Sequence, residues 1–346
     1  MADLLLELFS EEIPARMQGN AAAHLVTALE SALKIPLDIT SYVAPRRLAI
    51  IAKNLPVAQP DINTELKGPK IDAPEAALQG FLKKSGLKLE QLEKRDGVYF
   101  ASIHQKGKPT ADVLKEIIEK ILATFPWPKS MRWGAGEVTW VRPLHSILCI
   151  FDGKVVPVEF GGVKAGNFTY GHRFLNPEKI VISKPQDYEP ALEKAHVIAD
   201  HGKRRDAILK QAEKVAATQN LVLKKDEALL DEVTGLVEWP VVLMGTIDRN
   251  FMDLPWQVLV SEMRTHQKYF ALETREGIFP DKFLITANIE TKDGGRAIIA
   301  GNERVLRARL ADGRFFLGSG SSEKTRCMGG RLKKRDFPCK TGNDCR

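Results

Sequence analysis

The opening stretch of the chain constrains its fold more than any other part, because the hydrophobic period changes there from segment to segment. Residues 3–9 (DLLLELF) alternate weakly and predict a strand, whereas residues 16–34 carry leucines at helical spacing. Two further strands are predicted at Thr40–Val43 and Leu48–Ala52, on either side of APRR. This strand–helix–strand–strand order is not a run of repeated βαβ units, so it argues against a doubly wound parallel sheet.

The remainder of the chain continues the mixed pattern. Residues 109–124 have the spacing of a strong amphipathic helix, and FDGK (151–154) is a hairpin signal, since Asp-Gly tolerates the positive φ of such turns. Further helices are predicted at 187–219, 226–237, 255–267 and 302–316, between short strands. The sequence therefore predicts an α+β fold with mixed and antiparallel sheets and packed helices. Two subdomains are expected, with a break near 180–240.

The charge of the chain is concentrated at one end. Residues 318–346 contain eight Lys/Arg and three Asp/Glu, so they carry +5 of the net +7 and leave +2 on residues 1–317. GSGSS (318–322) has the composition of a flexible linker, and the segment after it has little apolar periodicity. We predict a disordered tail over 318–346 that lies outside the parent fold. Polyanion binding by residues 1–317 would then depend on local patches.

Familiar catalytic and metal-binding patterns are not found. The chain contains no GxGxxG after a strand, no GxxxxGK[ST] and no GxSxG. His196 and His201 are five residues apart, which does not match helical metal-ligand spacing, and Cys149 lies in an apolar run typical of a buried strand. The sequence predicts no catalytic residue, no metal site and no cofactor bound by this chain.

Localisation is predicted from two further features. The first residues, MADLLLELFSEEIPA, have no basic leader and soon become acidic, unlike a secretory signal. The most apolar run, Leu144–Phe151, is too short to cross a bilayer. We therefore expect a cytoplasmic protein without a membrane partner.

Several short motifs combine a basic residue with an aromatic one, as RNA-binding surfaces do. Arg132 lies in MRWG, Arg142 in WVRP, and His172 with Arg173 in YGHRF. The alternative for each is an arginine packed over a ring at a strand end, which stabilises the fold without binding a ligand. Both interpretations remain open.

Arg46 and Arg47 in APRRLA form a further candidate pair. Adjacent residues of a strand point to opposite faces, so one arginine can pair internally while the other meets a ligand. A salt-bridged edge strand is the alternative. The sequence does not decide between them.

Two basic helices are the remaining candidates. In 255–270 (PWQVLVSEMRTHQKYF), Arg264, His266 and Lys268 follow an apolar face formed by Leu259 and Met263. In 301–316, at about 100° per residue, the side chains of three arginines fall within an arc of roughly 80°; they are Arg304, Arg307 and Arg314. Asn302 is the expected N-cap. Such stripes suit a phosphate backbone or an acidic partner, and the alternative is a solvated charged face.

Eight blocks of sequence, in order, are similar to one family. They are LLLELFSEEIPA (4–15), APRRLA (44–49), KGPK (67–70), MRWG (131–134), VRPLH (141–145), GHRF (171–174), LPWQVLVSEMRTHQKYF (254–270) and GNERVLRARLADGRFF (301–316). Together they resemble the N-terminal part of the β subunit of bacterial heterotetrameric glycyl-tRNA synthetases, over residues 1–317. Gly313 stands where that family usually has Ala.

The resemblance implies a function. In that family an α2β2 ligase joins glycine to its tRNA with ATP; ATP and Mg²⁺ are used by the α subunit, and the β subunit binds and positions tRNA. The expected partners are therefore the α subunit and glycine tRNA. The resemblance also implies a fold like the editing-type domain of the phenylalanyl-tRNA synthetase β chain. It further implies a truncated chain, since the family's β chain continues into a helical domain and an anticodon-binding domain. A docking scaffold for the α subunit and a hydrolytic editing-like domain remain as alternatives.

Overall fold

The computed structural model describes residues 1–133 and 136–319, and the side chains at 62–64, 103–105 and 315–319 fall outside that description. The segment predicted to be a disordered tail, 318–346, lies outside the described residues except for its first two positions. The chain divides into two compact units, Met1–Arg204 and Arg205–Arg346. The division falls within the 180–240 interval and inside helix α5 (His201–Ala217). Each unit is described separately.

The first unit combines a large sheet with smaller sheets and helices. Its helices before α5 are α1 (Ala15–Leu33), α2 (Glu75–Ser85), α3 (Thr110–Ala123) and α4 (Tyr188–Lys194). Its strands are β1 (Ala2–Ser10), β2 (Asp38–Ala44), β3 (Arg47–Leu55), β4 (Ile62–Lys70), β5 (Glu93–Arg95), β6 (Val98–Gln105), β7 (Met131–Arg132), β8 (Thr139–Trp140), β9 (Leu144–Phe151), β10 (Lys154–Val155), β11 (Glu159–Phe160), β12 (Val163–Gly166), β13 (Phe168–Tyr170) and β14 (Lys179–Val181).

The large sheet has β1 near its centre, and both faces of β1 are covered. The strand order is β11–β12–β9–β1–β3–β2, antiparallel except for the parallel pair β12–β9. Leu4, Leu6 and Leu8 pack with residues of α1 and α3, whereas Leu5 packs on the opposite face with Tyr188 of α4. Burial on both faces explains why DLLLELF is almost continuously apolar and alternates only weakly.

A smaller module is inserted between β3 and α3. Its sheet has the order β4–β6–β5, and α2 packs on one face through Phe81, Tyr99 and Ala101. Gly68 of KGPK lies directly against Phe81, because a Cβ at residue 68 would come within 2.6 Å of the ring. The two ends of the insert are joined by backbone hydrogen bonds, from Gln59 N to Lys108 O and from Thr110 N to Val57 O, each 3.0 Å long.

The second unit, as described to residue 319, is a four-stranded antiparallel sheet between two helical layers. Its strands are β15 (Val222–Leu223), β16 (Val241–Thr246), β17 (Phe270–Glu273) and β18 (Lys282–Ala287), in the order β15–β17–β18–β16, and its further helices are α6 (Glu227–Thr234), α7 (Trp256–Glu262) and α8 (Arg296–Ser319). Leu284 faces a core with α5 and α6, whereas Phe283 and Ile285 face a second core with Met263 and Leu306. The alternation along β18 thus supplies both cores.

The predicted α+β class, with mixed and antiparallel sheets, is confirmed. Several element boundaries were wrong. Helix 187–219 is interrupted between α4 and α5. Helix α8 begins at Arg296, so Asn302 is not an N-cap; its side chain lies inside the helix, where Nδ2 donates to Ile298 O. Among the described helices, none is long and apolar enough to cross a membrane.

Candidate functional site

Arg47 is a structural residue of the first unit. Its side chain is fully buried, and its Nη1 donates to Thr169 Oγ1 at 2.8 Å and lies 3.3 Å from Glu7 Oε2. Nη2 donates to the backbone oxygen of Gly171 at 3.3 Å. Arg47 as a ligand-binding candidate is therefore wrong, because no part of it reaches the surface. The pairing expected of one arginine in APRRLA is found here.

Glu7 extends this buried network to α4. Its side chain is 0% exposed, and Tyr188 Oη donates to Glu7 Oε2 at 2.5 Å. Glu7 lies on the same face of β1 as Leu5, two residues away. Its contacts with Arg47 and Tyr188 explain how a charged residue can occur inside this apolar strand. The network connects β1, β3, β13 and α4, and it fixes the residues that lie in front of it.

A cleft of about 400 Å³ lies in front of this network. Its lining comes from distant parts of the first unit: Phe9, Glu11, Arg46, His145, Tyr170, Gly171, Arg173 and Pro177. Only Arg46 and Arg173 of this group were selected from the sequence as site residues. The structure therefore brings these two together and adds a carboxylate, an imidazole and two rings.

Glu11 is the centre of the polar contacts in the cleft. His145 Nε2 lies 2.7 Å from Glu11 Oε1, and Arg173 Nη2 donates to Glu11 Oε2 at 2.5 Å. Arg46 Nη2 is 3.9 Å from Oε1, and Arg173 also contacts Glu12 at 3.0 Å. Although partial burial raises the pKa of Glu11, the hydrogen bonds from His145 and Arg173 hold it at about 2. The carboxylate is therefore ionised at neutral pH.

The aromatic side of the cleft is formed by Phe9 and Tyr170. Their rings stack with centroids 5.6 Å apart, and the guanidinium of Arg46 lies 4.5 Å from the centroid of Phe9. Phe9 is only 3% exposed, whereas Tyr170 is partly exposed. The surfaces that a ligand can meet are thus the Tyr170 ring and the Arg46 plane, with Phe9 as support.

His172 is buried, so it is wrong as a surface candidate. Its side chain has 0% exposure, and Nδ1 accepts hydrogen bonds from the backbone N–H groups of Phe174 and Leu175 at 3.3 and 3.2 Å. Its own backbone N–H donates to Ala195 O at 2.9 Å. The ring therefore holds the loop that carries Arg173. Neighbouring residues of GHRF have different roles, which the motif alone does not show.

Arg132 and Arg142 differ from each other in exposure and in their contacts. Arg132 on β7 is exposed and forms no ion pair with any described residue. Arg142 is half-buried, and its Nη1 donates to the neighbouring carbonyl of Val141 at 2.9 Å. Arg132 thus stays a surface candidate, and Arg142 is tied to its own backbone.

In the second unit, the basic residues of 255–270 are each paired with an acid. Arg264 Nε donates to Asp226 Oδ2 at 2.5 Å, Lys268 Nζ lies 3.0 Å from Glu232, and His266 Nε2 lies 3.7 Å from Glu262. Leu259 and Met263 are buried on the opposite side, as the spacing predicted. The helix continues into a π-helical turn, Met263–Gln267. Arg264 and Lys268 contact acids at the N-cap of α6 and within it, whereas the partner of His266 is on its own helix.

The contact with Arg264 also changes the acid. Although partial burial raises the pKa of Asp226, the hydrogen bond from Arg264 and that from Leu229 N lower it below its usual range. Asp226 is at the same time the N-cap of α6, accepting that 3.0 Å bond from Leu229 N. Arg264 therefore has a role in fixing the start of a helix, in addition to any role toward a ligand.

Of the three candidate arginines of α8, two contact acids and one does not. Arg307 Nε lies 2.8 Å from Asp248 Oδ2, and Arg314 contacts Asp253 and donates to Asn250 O at 2.8 Å. Arg304 is exposed and has no ion pair within the part of the chain that the structure describes. The predicted basic stripe is thus a row of ion pairs from which Arg304 projects.

Sequence reasoning missed Glu11, His145 and Tyr170. Each lies in or next to a quoted motif, in SEEIPA, VRPLH and YGHRF, but only the basic members of the motifs were selected. The useful signal was that these motifs follow or begin predicted strands, so that their polar residues could meet at one edge of a sheet. Over 1–133 and 136–319, no cluster of three or more His, Cys, Asp or Glu could hold a metal ion.

Comparison with known proteins shows where this chain belongs. A family model described as "Glycyl-tRNA synthetase beta subunit" matches residues 4–343, a span that includes most of the segment after residue 317. The glycine–tRNA ligase β subunit of Rhodospirillum centenum is 47% identical over 352 aligned positions, covering 91% of this chain and 49% of the relative. Those of Phenylobacterium zucineum (45%; 99% and 52% covered) and Ruegeria sp. (46%; 91% and 48% covered) are similarly related.

These matches place the chain in the class of aminoacyl-tRNA synthetase subunits. Within that class, it belongs to the glycyl-tRNA synthetase β-subunit family. The chain spans about half the length of the curated relatives it matches.

Proposed function

We propose that the chain acts as the N-terminal part of a glycine–tRNA ligase β subunit, which binds tRNA and positions it for the α subunit. The observation that carries the proposal is the match to the β-subunit family over residues 4–343. The reaction would be the ATP-dependent attachment of glycine to its tRNA, in an α2β2 assembly in the cytoplasm. ATP and Mg²⁺ would be held by the α subunit.

The positions of the cations indicate where RNA would bind. Arg132 in the first unit and Arg304 in the second are exposed and form no ion pair with described residues, so their charge is available to a phosphate. The other surface candidates of the second unit would have to exchange a carboxylate for a phosphate. We therefore propose Arg132 and Arg304 as phosphate contacts. The proposed likeness of the first unit to an editing-type synthetase domain is a separate hypothesis about fold.

A second function, docking of the α subunit, is favoured by the ion pairs of the second unit. Arg264, Lys268 and Arg307 each lie within 3.0 Å of an acid on another segment, which suits a rigid surface more than a phosphate track. Salt separates the two functions, because contacts to phosphate weaken steeply as salt rises, whereas docking through a surface whose charges are already paired forms few new charge contacts and weakens less.

The test is to mix the chain with its matching α subunit and glycine tRNA and to measure complex masses at low and moderate salt. A complex with tRNA alone that is lost as salt rises supports the tRNA role. Binding only to the α subunit supports docking. If neither complex forms, this chain performs neither function by itself and the proposal is wrong.

Charge reversal at the two exposed arginines tests the contacts themselves. Arg132→Glu and Arg304→Glu are expected to weaken tRNA binding several-fold and to reduce the salt slope by about one unit each. Lys154→Glu, at an exposed hairpin position outside the candidate set, is the matched control. An unchanged affinity in both test variants would remove these residues from the interface.

A further inference from the structure

The cleft lined by Phe9, Glu11, Arg46, His145, Tyr170 and Arg173 has a composition that points to a particular kind of ligand. Its volume of about 400 Å³ lies within the range of small-molecule sites, about 300–1,000 Å³. It is built from separate segments of the first unit, and the buried Arg47 fixes its back wall through Gly171 O and Thr169. The cleft is therefore a supported site and not a gap between loose loops.

Charge alone does not select the ligand. The two guanidinium groups of Arg46 and Arg173 face the two carboxylates of Glu11 and Glu12, so the fixed charges balance when His145 is neutral. A bare anion such as inorganic phosphate would gain little from such a site. A ligand that stacks and has both donors and acceptors at one edge would gain more.

The remaining groups define that edge. Tyr170 is partly exposed and Arg46 presents a guanidinium plane above Phe9, so a flat ring can stack here. The Glu11 oxygens already accept from His145 and Arg173, but a carboxylate has further lone pairs that can accept from donors on a ligand. Arg173, whose side chain is 37% exposed, likewise has N–H groups beyond those directed at Glu11 and Glu12 that can donate to acceptors. Among the nucleobases, guanine has adjacent N–H donors and an acceptor oxygen on one edge. On the Watson–Crick edge of guanine the N1–H and N2–H donors lie beside O6, so a carboxylate can accept from the donors while an arginine donates to O6.

We propose that this cleft binds one guanine nucleotide, stacked on Tyr170 and Arg46 and read by Glu11 and Arg173. The nucleotide could be free, or it could be an unpaired residue of an RNA. Only the RNA source rests on the proposed tRNA function. The proposed role of the cleft differs from that of Arg132 and Arg304, because the cleft would recognise a base and the two arginines would contact the phosphate backbone.

The first experiment measures binding of GMP, AMP and UMP to the full chain by calorimetry. The expected order is GMP tightest, with UMP at least about tenfold weaker because it offers less stacking and a different edge. Equal binding of all three, or of inorganic phosphate, would overturn the guanine assignment. No binding of GMP, together with no binding of a single-stranded RNA that contains guanine, would overturn the site.

Variants locate the binding. Glu11→Gln keeps the shape but removes the charged acceptor, and Tyr170→Leu removes the ring; each is expected to weaken GMP binding about tenfold or more. Tyr170→Phe keeps the ring and should retain most of the affinity, which separates stacking from loss of folding. Glu90→Gln, at an exposed carboxylate outside the cleft and outside the candidate set, is the matched control. Unchanged GMP affinity in both Glu11→Gln and Tyr170→Leu would overturn the proposal.

A guanine-containing and an all-uridine single-stranded RNA of equal length distinguish the two sources. Preference for the guanine RNA, lost in Tyr170→Leu, assigns the cleft to RNA; binding of GMP without that preference assigns it to a free nucleotide. Failure of this inference is distinguishable from failure of the proposed function. Salt-sensitive tRNA binding by a chain whose cleft variants change neither GMP affinity nor affinity for the guanine RNA would refute the cleft and leave the tRNA role intact.

Discussion

Replacing Arg47 with Met tests whether the buried Glu7–Arg47 pair holds the first unit together. Both side chains are 0% exposed and lie 3.3 Å apart, with Tyr188 Oη and Thr169 Oγ1 completing the network. Removing one partner of a buried pair leaves an uncompensated charge, which costs about 3–5 kcal/mol. That is a large fraction of the roughly 5–15 kcal/mol typical of whole domains. We therefore expect the first unit of the Arg47→Met variant to unfold at a much lower denaturant concentration than that of the parent chain.

The neighbouring arginine is the matched control. Arg46 is 12% exposed, lies 3.9 Å from Glu11 and stacks over Phe9, so Arg46→Met should cost about 1 kcal/mol. The double variant Glu7→Met with Arg47→Met removes both charges, and it should be less destabilised than the sum of the single variants.

Urea unfolding gives the free energies, and hydrogen exchange of β1 and β3 peptides assigns the loss to the first unit. An Arg47→Met variant that stays within about 1 kcal/mol of the parent chain would refute the importance of the pair. A double variant equal to the sum of the singles would show that the two charges are not coupled.

Further stability predictions follow from single positions. Gly313 lies inside α8, and no neighbouring atom comes within 4 Å of the place that a Cβ would take, so Gly313→Ala should raise the free energy of unfolding by about 1 kcal/mol in urea titrations. Gly171→Ala would place a Cβ 2.2 Å from Asn176 O, and a lower thermal midpoint is expected, with a loss of about 1–3 kcal/mol. Leu306→Ala, at a 1% exposed site, should cost about 2–5 kcal/mol, and hydrogen exchange should quicken in β16 and β18 of the second unit; unchanged exchange there would contradict the burial argument. The pKa of Glu11 falls from 4.5 to about 2 in the fold, so the carboxylate stabilises the chain fully above pH 4.5 and loses this effect as the pH falls toward 2. The stability gap between the parent and Glu11→Gln should shrink over that window, and a gap independent of pH would contradict the assignment.

Much of the fold follows from local pattern. The apolar runs at β1 and β9 and the helical spacing of α3 are strong enough that burial on one or both faces could be anticipated, including that of Cys149, whose burial raises the pKa of the thiol. Strand β4 could not be anticipated in the same way. Its sequence, INTELKGPK, is polar and contains Gly and Pro, and it forms a strand because β6 offers a ladder and Phe81 packs against Gly68.

The site was predictable only in part, because the partners of its residues lie far away along the chain. Asp226 is 38 residues from Arg264, and Glu11 is 134 residues from His145. No local pattern marks such pairs. Neighbouring residues of a motif can also have different roles: Arg46 lies in the turn before β3 and reaches the cleft, whereas Arg47 is the first residue of β3 and is buried.

These pairings change what a basic stripe means for RNA binding. A phosphate that approaches Arg264, Lys268 or Arg307 must replace a carboxylate already in contact, so the gain is the difference between two similar charge contacts and not a full new one. An exposed arginine such as Arg304 gives up only water and counterions. The salt slope of tRNA binding counts the phosphates that are newly neutralised. The salt slope should therefore match the number of unpaired cations at the interface. A steeper slope, equal to that expected if every arginine and lysine of the basic stripe met a phosphate, would show that the ion pairs open on binding.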